Sequence, residues 1–325
     1  MKAEELNNKY DETTSSLEMV NALRSNIASV FLGNEKVIDE VLVALFSGGH
    51  LLIEDVPGVG KTTLAHALAR SIGGTYRRIQ FTSDLLPSDI IGVNLFNQNT
   101  KDFRFVPGPL FAHVVLADEI NRTNPKTQSA LLEAMGEEQV TVDGQSHPVP
   151  DPFLVIATQN SFEYHGTYPL PESELDRFFM CIDVGYPGRD SEKAIVGRLQ
   201  REDPVRELEA VISPQDVIDI RTRAQNVRVD ESLLDYILDL AEQTRKSDLL
   251  SLGVSPRGAM YLHRAARAHA LLQGRQFCVP DDIKNLVLLV WSHRVVPSGM
   301  YSSSKSGDNA KQILRELIDA FPVPL

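Results

Sequence analysis

Apolar residues change their spacing several times along this chain, and each change marks an element. Leu17, Val20, Leu23, Ile27, Val30 and Phe31 recur at intervals of three and four, which predicts one amphipathic helix. The polar, acidic stretch before it, residues 1–14, is expected to be loose. Phe31-Leu32-Gly33-Asn34-Glu35 breaks the helix, and a second runs from about Glu35 to Phe46. Strands are then predicted at 50–54, 76–81, 113–117, 153–158 and 178–184. Helices are predicted between them at about 61–72 and 125–137. Such alternation implies a parallel sheet covered on both faces.

Two segments interrupt the alternation. Residues 92–107 hold two apolar runs around a polar turn and read as a hairpin. A second hairpin is expected at about 139–150, with Asp143-Gly144 at its turn. A linker begins at Pro187-Gly188-Arg189-Asp190, and from about residue 191 the spacing is helical. Ser213-Pro214-Gln215-Asp216 resembles a capping box. Leu233, Leu234, Ile237, Leu238 and Leu240 mark a further helix, and others begin at Pro256 and Pro280. A polar loop, Ser298–Asn309, precedes a last helix over Ala310–Phe321. The expected architecture is therefore α/β. A core of residues 1–187 carries a parallel sheet and two hairpin insertions, and an all-helical lid of residues 188–325 follows.

The first strand leads into the densest chemistry. Leu51 to Thr63 reads Leu-Leu-Ile-Glu-Asp-Val-Pro-Gly-Val-Gly-Lys-Thr-Thr, a strand, a tight loop and a helix start. This is the layout of a phosphate-binding P-loop. Glycines let backbone N–H groups close on phosphate oxygens, and the helix N-terminus adds partial positive charge. Lys61 is placed to reach the β- and γ-phosphates, and Thr62 to ligate Mg²⁺. Asp55 stands where the usual pattern has its first glycine, so its charge has to point away from the phosphates.

Phosphoryl transfer depends on positioning and charge, so a partner strand ending in acids is required. His113–Glu119 supplies it, with Asp118 a candidate Mg²⁺ ligand and Glu119 a candidate general base. Asn160, after the strand at 153–158, is placed to orient the attacking water. Arg177 is either a surface arginine with its stem on the core or an arginine finger offered to a neighbouring subunit. Arg257, behind Ser255-Pro256, sits at a helix start, where a cation opposes the helix dipole; a phosphate nearby would explain it.

Composition narrows the field. The chain has 325 residues, with 32 basic against 44 acidic side chains and a net charge of −12. That balance argues against tight non-specific binding of nucleic acid. A cluster of His263, Arg264, Arg267, His269 and Arg275 is a candidate nucleic-acid stripe, a solvated lid face or a ring contact. Cys181 and Cys278 have no metal-ligand spacing and read as small buried hydrophobes. No run is apolar enough to span a membrane and the N-terminus has no signal pattern, so a cytoplasmic location without membrane insertion is expected.

These motifs, in this order, resemble the AAA+ ATPases and, within them, the MoxR group. The resemblance rests on Glu54–Thr62, Asp118–Arg122, Pro125–Met135, Ala157–Asn160 and Leu170–Phe178, and it extends from about Val30 to the C-terminus. It implies an ATP/ADP site lined by Leu32 and Gly33 near the adenine and by Pro57, Gly58, Val59, Gly60, Lys61, Thr62 and Thr63 at the phosphates. It implies Mg²⁺ at Thr62 and Asp118, with Glu119, Asn160, Arg177 and Arg257 as catalytic residues. The hairpins are then pore-facing substrate contacts or plain surface decoration. The implied activity is ATP hydrolysis in a homo-oligomeric ring, a hexamer, driving chaperone-like remodelling of a partner. Von Willebrand factor A domain proteins are the partner class that the resemblance implies. A metal-chelatase-like ATPase subunit and a nucleic-acid motor are the alternatives, beside a scaffold that binds ATP and turns over very slowly.

Overall fold

Helix α1 (Lys2–Ala28) opens the chain in the computed structural model, which describes residues 2–99, 101–159, 167–198, 204–299 and 306–322. The helix starts earlier than the expected loose segment allows, because nothing in residues 2–14 is a glycine or proline to interrupt it. Its Val20, Leu23 and Ile27 are fully buried. Helix α2 (Glu35–Phe46) follows, capped by Asn34, whose side chain accepts the Lys36 N–H at 3.1 Å.

The core continues through β1 (Leu51–Glu54), α3 (Lys61–Ser71), β2 (Tyr76–Gln80) and the short α4 (Pro87–Ile91). Strands β3 (Gly92–Asn97) and β4 (Asp102–Pro107) form the first hairpin. Then come β5 (Val114–Asp118), α5 (Pro125–Glu137), the second hairpin β6 (Gln139–Val142) and β7 (Gln145–Pro148), and β8 (Leu154–Gln159). Asn124 caps α5 by accepting the N–H groups of Lys126 and Thr127. Asp143 and Gly144 both adopt positive φ, as a two-residue turn of this type requires. Helix α6 (Glu172–Leu175) and β9 (Met180–Ile182) complete the core.

The sheet runs β2-β5-β8-β1-β9, and every pair in it is parallel. The chain leaving β1 therefore crosses β8 and β5 to reach the edge at β2. This order sets the C-terminal ends of β1, β8, β5 and β2 side by side, with Glu54 opposite Gln159 and Gln80 opposite Asp118. Both faces are covered. Leu51 and Ile53 share a core with residues of α1, α2 and α3, whereas Leu52 faces Leu131, Leu132 and Met135 of α5.

The chain continues through α7 (Arg189–Arg198), α8 (Pro214–Gln225), α9 (Glu231–Lys246), β10 (Leu250–Leu252), α10 (Pro256–Leu272), α11 (Pro280–Trp291), β11 (Val296–Pro297) and α12 (Ser306–Ala320), the last of which form a helical lid. Ser213 and Asp216 form the expected capping box. The antiparallel pair β10–β11 is an addition to a lid expected to be purely helical, and α12 begins inside the stretch expected to be loop. Buried Trp291 donates its indole N–H to the Gly258 carbonyl at 2.9 Å and holds α11 on α10.

The basic cluster on α10 is consumed internally. Arg267 donates to the Val227 carbonyl, and Arg264 to the carbonyls of Ser47 and Gly48. His269 and Arg275 both bind Asp282 at 2.6 Å. Burial pushes the Asp282 carboxyl up, but the hydrogen bonds from Arg275, His269 and the Val279 N–H outweigh it and hold it at about 2. Arg264, Arg267, His269 and Arg275 are therefore tied to the protein's own groups rather than forming a solvated face or stripe.

The two hairpins touch. Asn94 donates to Asp143 at 2.8 Å, and Phe105 stacks on His147 at 3.9 Å between centroids. Leu95, Phe96 and Phe103 stay exposed on the first hairpin, Phe103 by 72%. No helix among the described residues is long and apolar enough to cross a membrane.

Candidate active site

Where β1 ends, the chain turns through Asp55–Gly60 into α3. Gly58 and Gly60 have φ of +88° and +92°, a region that strains any residue with a side chain. A Cβ on Gly60 would also lie 3.3 Å from the Phe31 ring. Gly60 is the N-cap of α3 and offers no side-chain acceptor, which leaves the first N–H groups of the helix open to a ligand. Pro57, Gly58, Gly60, Lys61 and Thr62 line one wall of a cavity of about 390 Å³. Val59 is turned into the core instead, at 7% exposure.

The Lys61 ammonium donates to the carbonyls of Asp55 and Val56 at 3.0 and 3.2 Å, so it lies along its own loop. Burial lowers its pKa, and the carboxylates of Asp55, Asp118 and Glu119 work against that shift. Asp55 directs its charge into the backbone. One oxygen accepts the Val56 N–H at 2.7 Å and the other accepts the Gly185 N–H at 2.6 Å.

The opposite wall carries the acids. Asp118 accepts the Thr158 hydroxyl at 2.6 Å on Oδ1 and the Arg78 guanidinium at 2.6 Å on Oδ2. The same Thr158 Oγ1 accepts the Glu119 N–H at 2.9 Å. Glu119 itself adopts φ +58°, unusual for a residue with a side chain. Its Oε2 accepts Gln80 at 2.8 Å and Arg122 at 3.0 Å. Arg78, Gln80, Thr158 and Gln159 all line the cavity, and sequence reasoning named none of them as site residues. The available signal was their position at the C-terminal ends of β2 and β8, the ligand edge of the sheet.

The arginines lie elsewhere. Arg177 and Arg257 line a second cavity of about 290 Å³ together with Gly49, His50, Gly136 and Arg264. Gly49 and His50 precede β1, whereas the P-loop follows it. About 13 Å of strand therefore separates the two cavities, which lie at opposite ends of β1. Arg177 donates to the Leu132 carbonyl at 2.9 Å and passes over Gly136, where a Cβ would come within 3.3 Å of it. Arg257 approaches Asp176 at 3.5 Å, which supplies the negative charge its place at a helix start calls for. His50 accepts the Val155 N–H on Nδ1 and so donates from Nε2 to the Met135 carbonyl. Burial, reinforced by the charges of Arg221 and Arg264, lowers its pKa to about 4 and keeps it neutral.

Leu32 and Gly33 are partly exposed beside Phe31, whose ring touches the loop. Neither they nor Thr63 line the 390 Å³ cavity. Asn160 lies outside the described residues. The donor set that is gathered suits a Mg²⁺-nucleotide: a helix N-terminus and an ammonium for phosphate, and a hydroxyl and a carboxylate for a hard cation.

Comparison with known proteins agrees. Residues 50–180 match the family described as ATPase family associated with various cellular activities (AAA), and residues 242–317 match the AAA lid domain. The uncharacterized protein YeaC of Bacillus subtilis is 47% identical over 301 residues, covering 92% of this chain and 93% of that protein. Chaperone MoxR1 of Mycobacterium tuberculosis is 40% identical, covering 83% and 74%. The crystal structure of a putative ATPase from Cytophaga hutchinsonii superposes with a TM-score of 0.90 at 34% identity, covering 99% of each chain.

Proposed function

The chain belongs to the MoxR family of AAA+ ATPases, and on that premise we propose that it is a Mg²⁺-dependent ATP hydrolase working as a ring, a hexamer, in the cytoplasm. Lys61 and the N–H groups of the loop would hold the β- and γ-phosphates, and Thr62 and Asp118 would hold Mg²⁺. The cation would neutralise charge on the phosphates. Glu119 would take a proton from the attacking water, with Gln80 and Arg122 fixing its carboxylate and Asn160 helping to orient the water.

One observation carries the ring. Arg177 and Arg257 share a cavity at the end of β1 remote from their own P-loop. They would serve the phosphates of a neighbouring subunit, so both act in trans and a lone subunit is incomplete. Such head-to-tail contacts close into rings. The exposed Phe96 and Phe103 on the paired hairpins would grip a protein client. The relative called chaperone MoxR1 supports a remodelling role, and the family resemblance supports a von Willebrand factor A domain protein as client.

Mixing tests the reading. Lys61→Ala and Arg177→Ala are each expected to be nearly inactive, the latter by about 10³-fold. In a one-to-one mixture, about a quarter of interfaces would join an intact P-loop to an intact arginine edge. Phosphate release should recover to about that fraction of wild type. No recovery, with rings formed, would remove the trans assignment.

A further inference from the structure

Asp176 is where the lid and the arginine edge meet. It closes α6 one residue before Arg177, and three side chains from the lid converge on it. Arg294 donates from Nε to Oδ1 at 2.9 Å. The Ser255 hydroxyl bridges both oxygens at 3.2 and 3.3 Å. Arg257 reaches Oδ2 at 3.5 Å.

These contacts differ in kind. The Arg294 side chain is 1% exposed and also donates to the carbonyls of Asp176, Phe178, Phe179 and Val290. It cannot leave without stranding a buried charge. Ser255 is the N-cap of α10, accepting the Gly258 N–H at 3.1 Å, so its bond to Asp176 fixes where α10 begins. Arg257 is half exposed and makes the longest contact of the three. It alone is free to exchange Asp176 for a stronger anion, and a phosphate is one.

We propose that Asp176 is a positioning residue for the arginine edge: anchored by Arg294 and Ser255, it holds Arg257 beside Arg177 in the free subunit and yields it to the phosphates of a neighbour's nucleotide on assembly. The proposal rests on the trans reading of Arg177 and Arg257. Its physical content is pre-organisation. Without Asp176, Arg257 would start from a spread of rotamers at a helix start that repels it, and would have to be ordered during the reaction.

A double-mutant cycle on the full-length protein tests this. Asp176→Asn, Arg257→Ala and the double variant are compared with wild type for kcat and for the KM of ATP. Asp176→Asn should lower kcat about tenfold with KM within about twofold, since the interaction serves the reaction rather than ground-state binding. In the Arg257→Ala background the same substitution should do almost nothing, because contacting residues in one network couple. An equal loss in both backgrounds, or no loss in wild type, overturns the proposal. Where Asp176→Asn melts too low to assay, the cycle is run with Asp176→Glu, which keeps a charge for Arg294 but moves the carboxylate. The Lys61→Ala and Arg177→Ala mixture separates the two levels. No recovery there removes the trans reading and this proposal together, whereas recovery with an additive cycle removes Asp176 alone.

Discussion

Replacing Thr158 by valine should loosen both acids of the site with one change of shape-matched side chain. Thr158 is 2% exposed, and its hydroxyl does two jobs: it donates to Asp118 at 2.6 Å and accepts the Glu119 N–H at 2.9 Å. Valine keeps the volume and removes both. A hydrogen bond to a charged group is worth about 1.5–3 kcal/mol, and an N–H left without a partner costs about 1–3 kcal/mol. Asp118 retains Arg78 and is partly accessible, so the lower ends apply, and a loss of about 2.5 kcal/mol in stability is expected.

Turnover should suffer as well. Glu119 holds φ +58°, a conformation that costs about 1 kcal/mol or more and persists only where neighbours impose it. Its N–H bond to Thr158 is one such constraint. Relaxation would swing the carboxylate from Gln80 and Arg122, and kcat should fall about 10–100-fold while the KM of ATP changes little. Urea midpoints with constant m-value report the stability, and steady-state phosphate release reports kcat. Thr158→Ser restores the hydroxyl and should return most of both. A valine variant with wild-type midpoint and turnover refutes the bridge. A serine variant no better than valine would mean that packing of the methyl group, not the hydroxyl, mattered.

Two further outcomes follow from the same contacts. Burial, with Asp183 and Asp39 adding to it against Lys36, pushes the Glu40 carboxyl from 4.5 up to about 7. The folded state then binds more protons than the unfolded one between those values, so stability falls as pH rises through that window, by about 3 kcal/mol in total. Glu40→Gln should therefore raise the melting temperature at pH 8 and leave it near wild type at pH 4, and a difference independent of pH would contradict the assignment. Asp55→Gly restores the usual loop pattern, yet it removes the acceptor of the Gly185 N–H. It should speed amide exchange at Gly185 and cost about 1 kcal/mol of stability, and unchanged exchange there would show that the bond does not hold in solution.

The chemistry closest in sequence was the most legible. Lys61 and Thr62 follow Gly60 directly, and a helix start, a positive-φ glycine and a cation in succession leave few other readings. The apolar runs predict β1, β5 and β8 to within a residue or so, because buried parallel strands tolerate little else. Residues that depend on sheet order were hidden. Thr158 meets Asp118 across 40 positions of chain, and Gln80 meets Glu119 across 39, only because β2, β5 and β8 are neighbours. Nothing local in Thr158 distinguishes it from a strand threonine with a buried methyl group. Arg257 is a similar case: its place at a helix start is legible, whereas Asp176, the carboxylate 3.5 Å away, comes from the core, which helical spacing in the lid does not reveal.

On the trans reading, the placement of Arg177 and Arg257 away from their own P-loop bears on how hydrolysis would become motion. A lid free to swing on its own core would need weak contacts between them. Here the contacts are strong at both ends of β9. Arg294, just after α11, binds the carbonyls of Phe178 and Phe179 ahead of β9, and Arg264 ties α10 to the turn before β1. On the P-loop side Lys311 of α12 pairs with Asp183 at the end of β9. A nucleotide held by Arg177 from the core and Arg257 from the lid would therefore pull on one body rather than on a hinge. On the trans reading, the angle that changes with nucleotide state is the one between subunits. The hairpins are joined to each other by Asn94–Asp143 and Phe105–His147, so they would travel with the core as a unit. On that reading, each nucleotide would act as a lever on the neighbouring subunit, and a client held at Phe96 and Phe103 would feel the displacement.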